Sequence, residues 1–311
     1  MNESRYRQAE RSLWASVGAT PTERRLRLER TGTTVRVQEL GEGPTVVFVH
    51  GASNAGTSWA SLAARMDGFR CVLLDRPGCG LSEPIADRLA DVGRLATFAD
   101  ALVVDVLDAL EVDTASVVAT SFGGYIGLRT AAAHPDRVAR TFMIGWPIGA
   151  PIEKTPMSMR LSTVPGLGQV MLSIPPSAGM VKAMLKGIGL KSAIESGRFG
   201  QVEIEWFRSV LRDTDTMRNE LRSLPPILTP IKGINETILH GDELLGSITN
   251  PIAFLWGEDD PMGGAVTARA FVDRIPGATL ELLPGAGHAP WIDDPDHVAA
   301  AAKQFLYGRQ P

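Results

Sequence analysis

The chain has 311 residues, 44% of them hydrophobic and 21% charged, and its 31 Lys and Arg against 35 Asp and Glu leave a formal net charge of −4. So apolar a chain is not disordered, and a total without concentrated positive charge argues against a nucleic-acid partner. No apolar run approaches the roughly 18 to 20 residues that span a bilayer, Met1-Asn2-Glu3-Ser4-Arg5 lacks a secretory signal's apolar core, and Cys71 and Cys79 are too few for a disulfide framework or a cysteine-based metal site. These readings predict a soluble, cytoplasmic globular protein. Length alone suggests two structural units, although a large α/β fold can also run past about 250 residues as one body.

In chain order, Ser4 to Val17 reads as an amphipathic helix with Tyr6, Leu13 and Trp14 on one side, followed by Arg24, Arg25, Arg27 and Arg30 as solvated residues. Short runs of β-formers come next: 45–49, 71–74, 115–119, 141–144, 252–256 and, less apolar, 278–283. Continuous apolarity, rather than strict alternation, predicts strands covered on both faces, as in a mostly parallel sheet. Between them lie helix patterns. Thr97 and Asp100 form a capping-box pattern ahead of Leu102, Val103, Val106, Leu107 and Leu110. Further helices are expected from Phe122 to about Ala133, stopped by His134-Pro135, from Val266 to Asp273 and from Asp296 to Phe305. Strand and helix alternating in this way predict an α/β fold with helices on both faces of the sheet.

The rhythm breaks between 148 and 250, a stretch rich in proline that also holds Met157, Met159, Met171, Met180, Met184 and Met217. Helices are expected there at Gly179 to Lys186 and Glu203 to Arg212. The predicted organisation is an N-terminal helical extension at 1–29, a core formed by 30–147 and 251–311, and an inserted helical cap at 148–250. A helical layer with no substrate role is the alternative for the insertion.

The chemistry is concentrated at Ala119-Thr120-Ser121-Phe122-Gly123-Gly124. A strand running straight into a serine, with a helix straight after, makes a turn so sharp that the residues two before and two after must be small. Ala119 and Gly123 meet this requirement. The turn would hold a hydroxyl beside a helix N-terminus suited to an anionic intermediate; a serine that merely N-caps the helix would also fit. A serine needs a base. Of the five histidines, His288 lies in a glycine loop after the last strand and can reach back over the sheet edge. His50, His134, His240 and His297 lie at a strand end, a helix stop, the insertion and a polar helix start. The base needs a carboxylate, and the turn Glu258-Asp259-Asp260 offers Asp260, with Asp259 in reserve. Gly78-Cys79-Gly80 lacks the third glycine of a dinucleotide loop.

These motifs, in the order Phe48-Val49-His50-Gly51-Ala52-Ser53, Asp75-Arg76-Pro77-Gly78-Cys79-Gly80-Leu81-Ser82, Ala119 to Gly124, Trp256-Gly257-Glu258-Asp259-Asp260 and Gly287-His288, resemble the α/β-hydrolase superfamily and its compact, cap-bearing serine hydrolases. The likeness runs from about Arg30 to Leu306, apart from the insertion. It implies an α/β-hydrolase fold with Ser121 as nucleophile, His288 as base and Asp260 as acid, and with the backbone N–H groups of Ala52 and Phe122 as the oxyanion hole. Ala119 departs from the glycine that many members carry. Serine at 121 disfavours the dehalogenase and epoxide hydrolase branches, which use aspartate. The expected activity is hydrolysis of a small or medium hydrophobic ester or thioester through an acyl-enzyme, with neither metal nor cofactor. The same parts would also serve a carbon–carbon bond hydrolase, a lactonase, a cofactor-free lyase or a slow-turnover binding protein.

Overall fold

The computed structural model describes residues 1–85, 89, 91–153, 155, 160–161, 163–164, 166–168, 170, 174–223, 226–231 and 233–308. Met157, Met159 and Met171 of the methionine-rich insertion therefore lie outside the described residues. One eight-stranded sheet dominates. It comprises β1 (Thr22–Leu28), β2 (Thr33–Leu40), β3 (Thr45–Val49), β4 (Arg70–Leu74), β5 (Ala115–Thr120), β6 (Val138–Pro147), β9 (Ile252–Gly257) and β10 (Thr279–Leu283), in the spatial order β1-β2-β4-β3-β5-β6-β9-β10. From β4 to β10 all pairings are parallel; β1 and β2 add an antiparallel edge.

Two apolar layers follow from strand alternation. Val47, Val49, Val117, Ala119 and Met143 face one layer, where helices α3 (Val92–Ala109), α4 (Ser121–Ala133) and α10 (Ala265–Val272) pack. Val46, Phe48, Val118, Phe142 and Ile144 face the other, with α1 (Glu3–Ser16), α2 (Ala60–Ala63), α11 (Pro290–Asp293) and α12 (Pro295–Leu306). Every residue of β5 is buried, which is why its sequence shows no polar alternation.

Two expectations need correction. The extension predicted to end at 29 gives way at Thr22 to strand β1, whose Leu26 and Leu28 are buried between exposed arginines. Helix α3 begins at Val92, not at Thr97. Asp91 caps it by accepting from the Arg94 N–H at 2.8 Å, while Asp100 pairs with Arg129 at 2.7 Å. A carboxylate just ahead of the helix outcompetes the later pattern, because it meets the unpaired N–H groups of the first turn.

Helix α1 is held by a buried ionic cluster. Glu10 receives two bonds from Arg36, at 2.5 and 2.9 Å, and Arg36 also reaches Asp75 at 3.1 Å. Between β6 and β9 the chain forms α5 (Ala178–Gly187), α6 (Lys191–Glu195), α7 (Gln201–Asp213), α8 (Thr216–Ser223), a small antiparallel pair β7 (Leu228–Thr229) and β8 (Gly233–Ile234), and α9 (Asp242–Gly246). Helix α1 also meets this segment, since the Asn2 N–H donates to the Asp213 carbonyl at 2.6 Å.

Candidate active site

Ser121 sits where β5 turns into α4, with φ at +52°. A non-glycine residue in that region is held there by its surroundings at a cost of order 1–3 kcal/mol. The surroundings are tight. A Cβ on Gly123 would lie 2.0 Å from the Val49 carbonyl oxygen, and one on Gly51 would lie 2.9 Å from Ser121 Cβ. Both glycines let backbone close in around the serine. The helix N-cap is Thr120 and no side chain caps it, so the Ser121 hydroxyl is not occupied as a cap.

The residues expected as acid and base, Asp260 and His288, are in contact. Asp260 lies three residues after the glycine that ends β9 and is 3% exposed. Its Oδ2 accepts from His288 Nδ1 at 2.8 Å and from the Trp146 N–H at 3.1 Å, and its Oδ1 accepts from the Met262 N–H at 2.9 Å. Three donors hold this carboxylate in one orientation. With Nδ1 donating, His288 Nε2 of the neutral ring carries a free lone pair. Burial pulls the His288 pKa down, but the charge and hydrogen bond of Asp260 outweigh it, and the net shift is upward from 6.5. Asp259 is exposed.

The end of β6 links these two groups to the serine. The Trp146 N–H binds Asp260, Pro147 pairs with Ser121 in a parallel bridge, and the Ile148 N–H donates to the Ser121 carbonyl at 2.9 Å. Successive Cα atoms are about 3.8 Å apart, so the carboxylate and the serine backbone occupy one short stretch of the sheet's carboxyl edge. Among the described residues no hydrogen bond joins Ser121 Oγ to His288, whose ring faces the Trp146 ring at 6.3 Å. Such contacts commonly tighten only when substrate binds.

The other histidines are otherwise engaged. His50 is buried, donates from Nδ1 to the Gly51 carbonyl at 2.7 Å and accepts the Arg76 N–H at Nε2. Burial and the Arg76 charge hold its pKa well below 6.5. His240 stacks on Tyr125 at 4.9 Å, with its pKa pulled down to about 3 mainly by burial. His134 ends α4, and His297 pairs with Glu281 at the surface. The second residue of a helix has an N–H with no intrahelical acceptor, which is the position of Phe122. The Ala52 N–H has no acceptor among the described residues. Phe122 directly follows Ser121, and Ala52 directly follows Gly51, where an added Cβ would lie 2.9 Å from Ser121 Cβ.

Sequence reasoning missed Asp293, a buried carboxylate whose Oδ2 accepts the Gly287 N–H at 3.0 Å, one residue before the histidine. Its position in a polar helix start disguised it. Burial raises its pKa. Cys79 is also buried; desolvation, chiefly, raises its thiol pKa far above 9.0. Among the described residues no three His, Cys, Asp or Glu side chains converge as a metal-binding group, and no helix is long and apolar enough to cross a membrane.

Residues 46–302 match the profile of the Alpha/beta hydrolase family. The chain belongs to that family, and it is a hydrolase. It is 25% identical over 268 residues to a 2-hydroxy-6-oxononadienedioate/2-hydroxy-6-oxononatrienedioate hydrolase of Cupriavidus pinatubonensis, covering 83% of this chain and 85% of that protein. It is 28% identical over 270 residues to a Caulobacter protein provisionally named as carbamate hydrolase RutD, covering 85% and 91%. The Bacillus subtilis carboxylesterase CesB shares the fold, with a TM-score of 0.71 at 21% identity, covering 98% of both chains.

Proposed function

We propose that this α/β hydrolase is a serine hydrolase that cleaves a small or medium hydrophobic ester or thioester through an acyl-enzyme. Ser121 attacks the carbonyl carbon while His288 Nε2 takes its proton; Asp260 then stabilises the imidazolium. The N–H groups of Ala52 and Phe122 receive the oxyanion. His288 returns the proton to the leaving group, and water, activated by the same ring, releases the acid. The observation that carries this reading is the 2.8 Å bond from His288 to Asp260 on the edge occupied by Ser121.

The segment 148–250 acts as the cap over this edge. Its Gly189 packs so closely that an added Cβ would meet the His288 N at 2.9 Å and Pro261 Cδ at 3.0 Å. Two free, buried cysteines support a cytoplasmic setting. A fluorophosphonate probe tests the nucleophile: labelling is expected in the native protein and lost in Ser121→Ala, and native protein that folds yet never labels would overturn the reading. The name of the Cupriavidus relative favours a second reading, carbon–carbon bond hydrolysis by the same three residues. A panel of graded acyl esters, a thioester and a dienone separates the two by kcat/KM.

A further inference from the structure

Arg76 follows β4 and is 3% exposed. Its Nε donates to the His50 carbonyl at 2.9 Å and its Nη2 to the Gly51 carbonyl at 2.9 Å. The guanidinium lies 4.5 Å from the centroid of the Phe122 ring. The Gly51 carbonyl also accepts His50 Nδ1. That carbonyl and the Ala52 N–H are opposite ends of one planar trans peptide, so fixing the direction of the first fixes the direction of the second. Arg76 thus aims one oxyanion donor and packs on the residue that supplies the other.

The partner of this cation comes from far along the chain. Glu220 Oε1, on α8, accepts Arg76 Nη2 at 2.7 Å and the Cys79 Sγ–H at 3.0 Å. The same helix face is tied to the loop after β4 twice more. Thr216 Oγ1 accepts the Gly80 N–H at 2.9 Å, and Asn219 Nδ2 donates to the Gly78 carbonyl at 2.9 Å. Residues 216, 219 and 220 stand at i, i+3 and i+4, the spacing that shares one face.

We propose that Glu220 is a positioning residue that acts through Arg76 on the Ala52 N–H, so that the oxyanion site is complete only while α8 is docked. The proposal rests on the serine-hydrolase reading above. Without Glu220 the guanidinium is a buried, uncompensated charge and turns toward water, which leaves the Gly51 carbonyl with His50 Nδ1 in place of two donors and loosens the Ala52 peptide.

The test uses full-length protein carrying Glu220→Gln, read by fluorophosphonate labelling rate and by kcat and KM on a short p-nitrophenyl ester. Labelling rate and kcat are both expected to fall roughly 10- to 100-fold, the scale of a displaced or lost oxyanion donor. KM should stay within about threefold, and the acid limb of the rate profile, set by His288, should not move. Glu220→Asp keeps the charge one methylene short, is expected to fall between the two, and carries the test if the Gln variant does not fold. Folded variants that label at the native rate, or that change KM alone, overturn the proposal. Native protein that fails to label overturns the serine reading and this inference with it. Native protein that labels, beside variants that label equally fast, overturns this inference alone.

Discussion

Replacing Asp260 by Asn tests the acid with almost no change of volume. The carboxylate accepts three hydrogen bonds, from His288, Trp146 and Met262, and an amide has one oxygen to offer. With that oxygen toward His288 and Trp146, the new NH2 opposes the Met262 N–H. With the amide flipped, the NH2 opposes Trp146 and pushes His288 into the tautomer whose Nε2 already holds a proton. Either arrangement leaves a buried donor unmet, at about 1–3 kcal/mol of stability. The catalytic loss is larger. At 2.8 Å the unit charges of Asp260 and a protonated His288 attract by ~6 kcal/mol at an effective dielectric of about 20. Removing that attraction just as the imidazolium forms should lower kcat by roughly 1,000- to 10,000-fold, in line with the same substitution in other Ser-His-Asp enzymes. Steady-state kinetics on the best ester, normalised to folded protein by near-UV circular dichroism, measure it. A well-folded Asp260→Asn protein within tenfold of native kcat would refute the role given to this carboxylate.

The acid limb of kcat/KM should lie above pH 6.5, because the base must be neutral and the His288 pKa is raised from that value by Asp260; in Asp260→Asn the limb should shift to lower pH, and a limb that stays put would remove Asp260 as its cause. His240 is buried neutral with a pKa of about 3, so its contribution to stability holds above its unfolded value of 6.5 and is lost as pH falls toward 3, by roughly 2 kcal/mol at pH 5. Urea unfolding of His240→Phe should show a shallower decline between pH 6.5 and 5, and equal slopes would contradict this. The double variant Arg76→Leu with Glu220→Leu should keep its Tm within a few degrees, because a buried ion pair is often replaceable by apolar groups, while labelling slows roughly 100-fold; a stable double variant with native labelling would show that the pair does not orient the loop.

Much of the fold is legible in the sequence because the central strands are buried on both faces. The runs 45–49, 115–119 and 252–256 fall within β3, β5 and β9. What escapes is the edge. In β2, Val35 and Val37 alternate with Arg36 and Gln38, and all four are buried. Arg36 reads as a surface residue until Glu10 and Asp75, remote in sequence, arrive to neutralise it. The candidate site divides in the same way. Ser121, Asp260 and His288 announce themselves through the glycines and strand ends beside them, which are local. Glu220 does not, since its partner lies 144 residues away and nothing near it marks it off from a solvated helix face. Asp293 is hidden by the acidic, proline-bearing helix start that surrounds it.

Parallel strands all deliver their carboxyl ends to one edge, the place where open α/β sheets bind ligands. That explains why His50, Ser121, Trp146 and Asp260 meet although they are scattered over most of the chain. It does not explain the charge buried beneath them. Hydrophobic packing is non-directional, so an apolar side chain in place of Arg76 could fill its volume but could not choose which way the Gly51 carbonyl points. A fork of N–H donors can, and it can remain buried only beside a carboxylate. Because that carboxylate stands on the inserted segment and not on the sheet, under the proposal above the aim of the Ala52 N–H is tied to the docking of α8 on the loop after β4, where Thr216 and Asn219 add their own bonds.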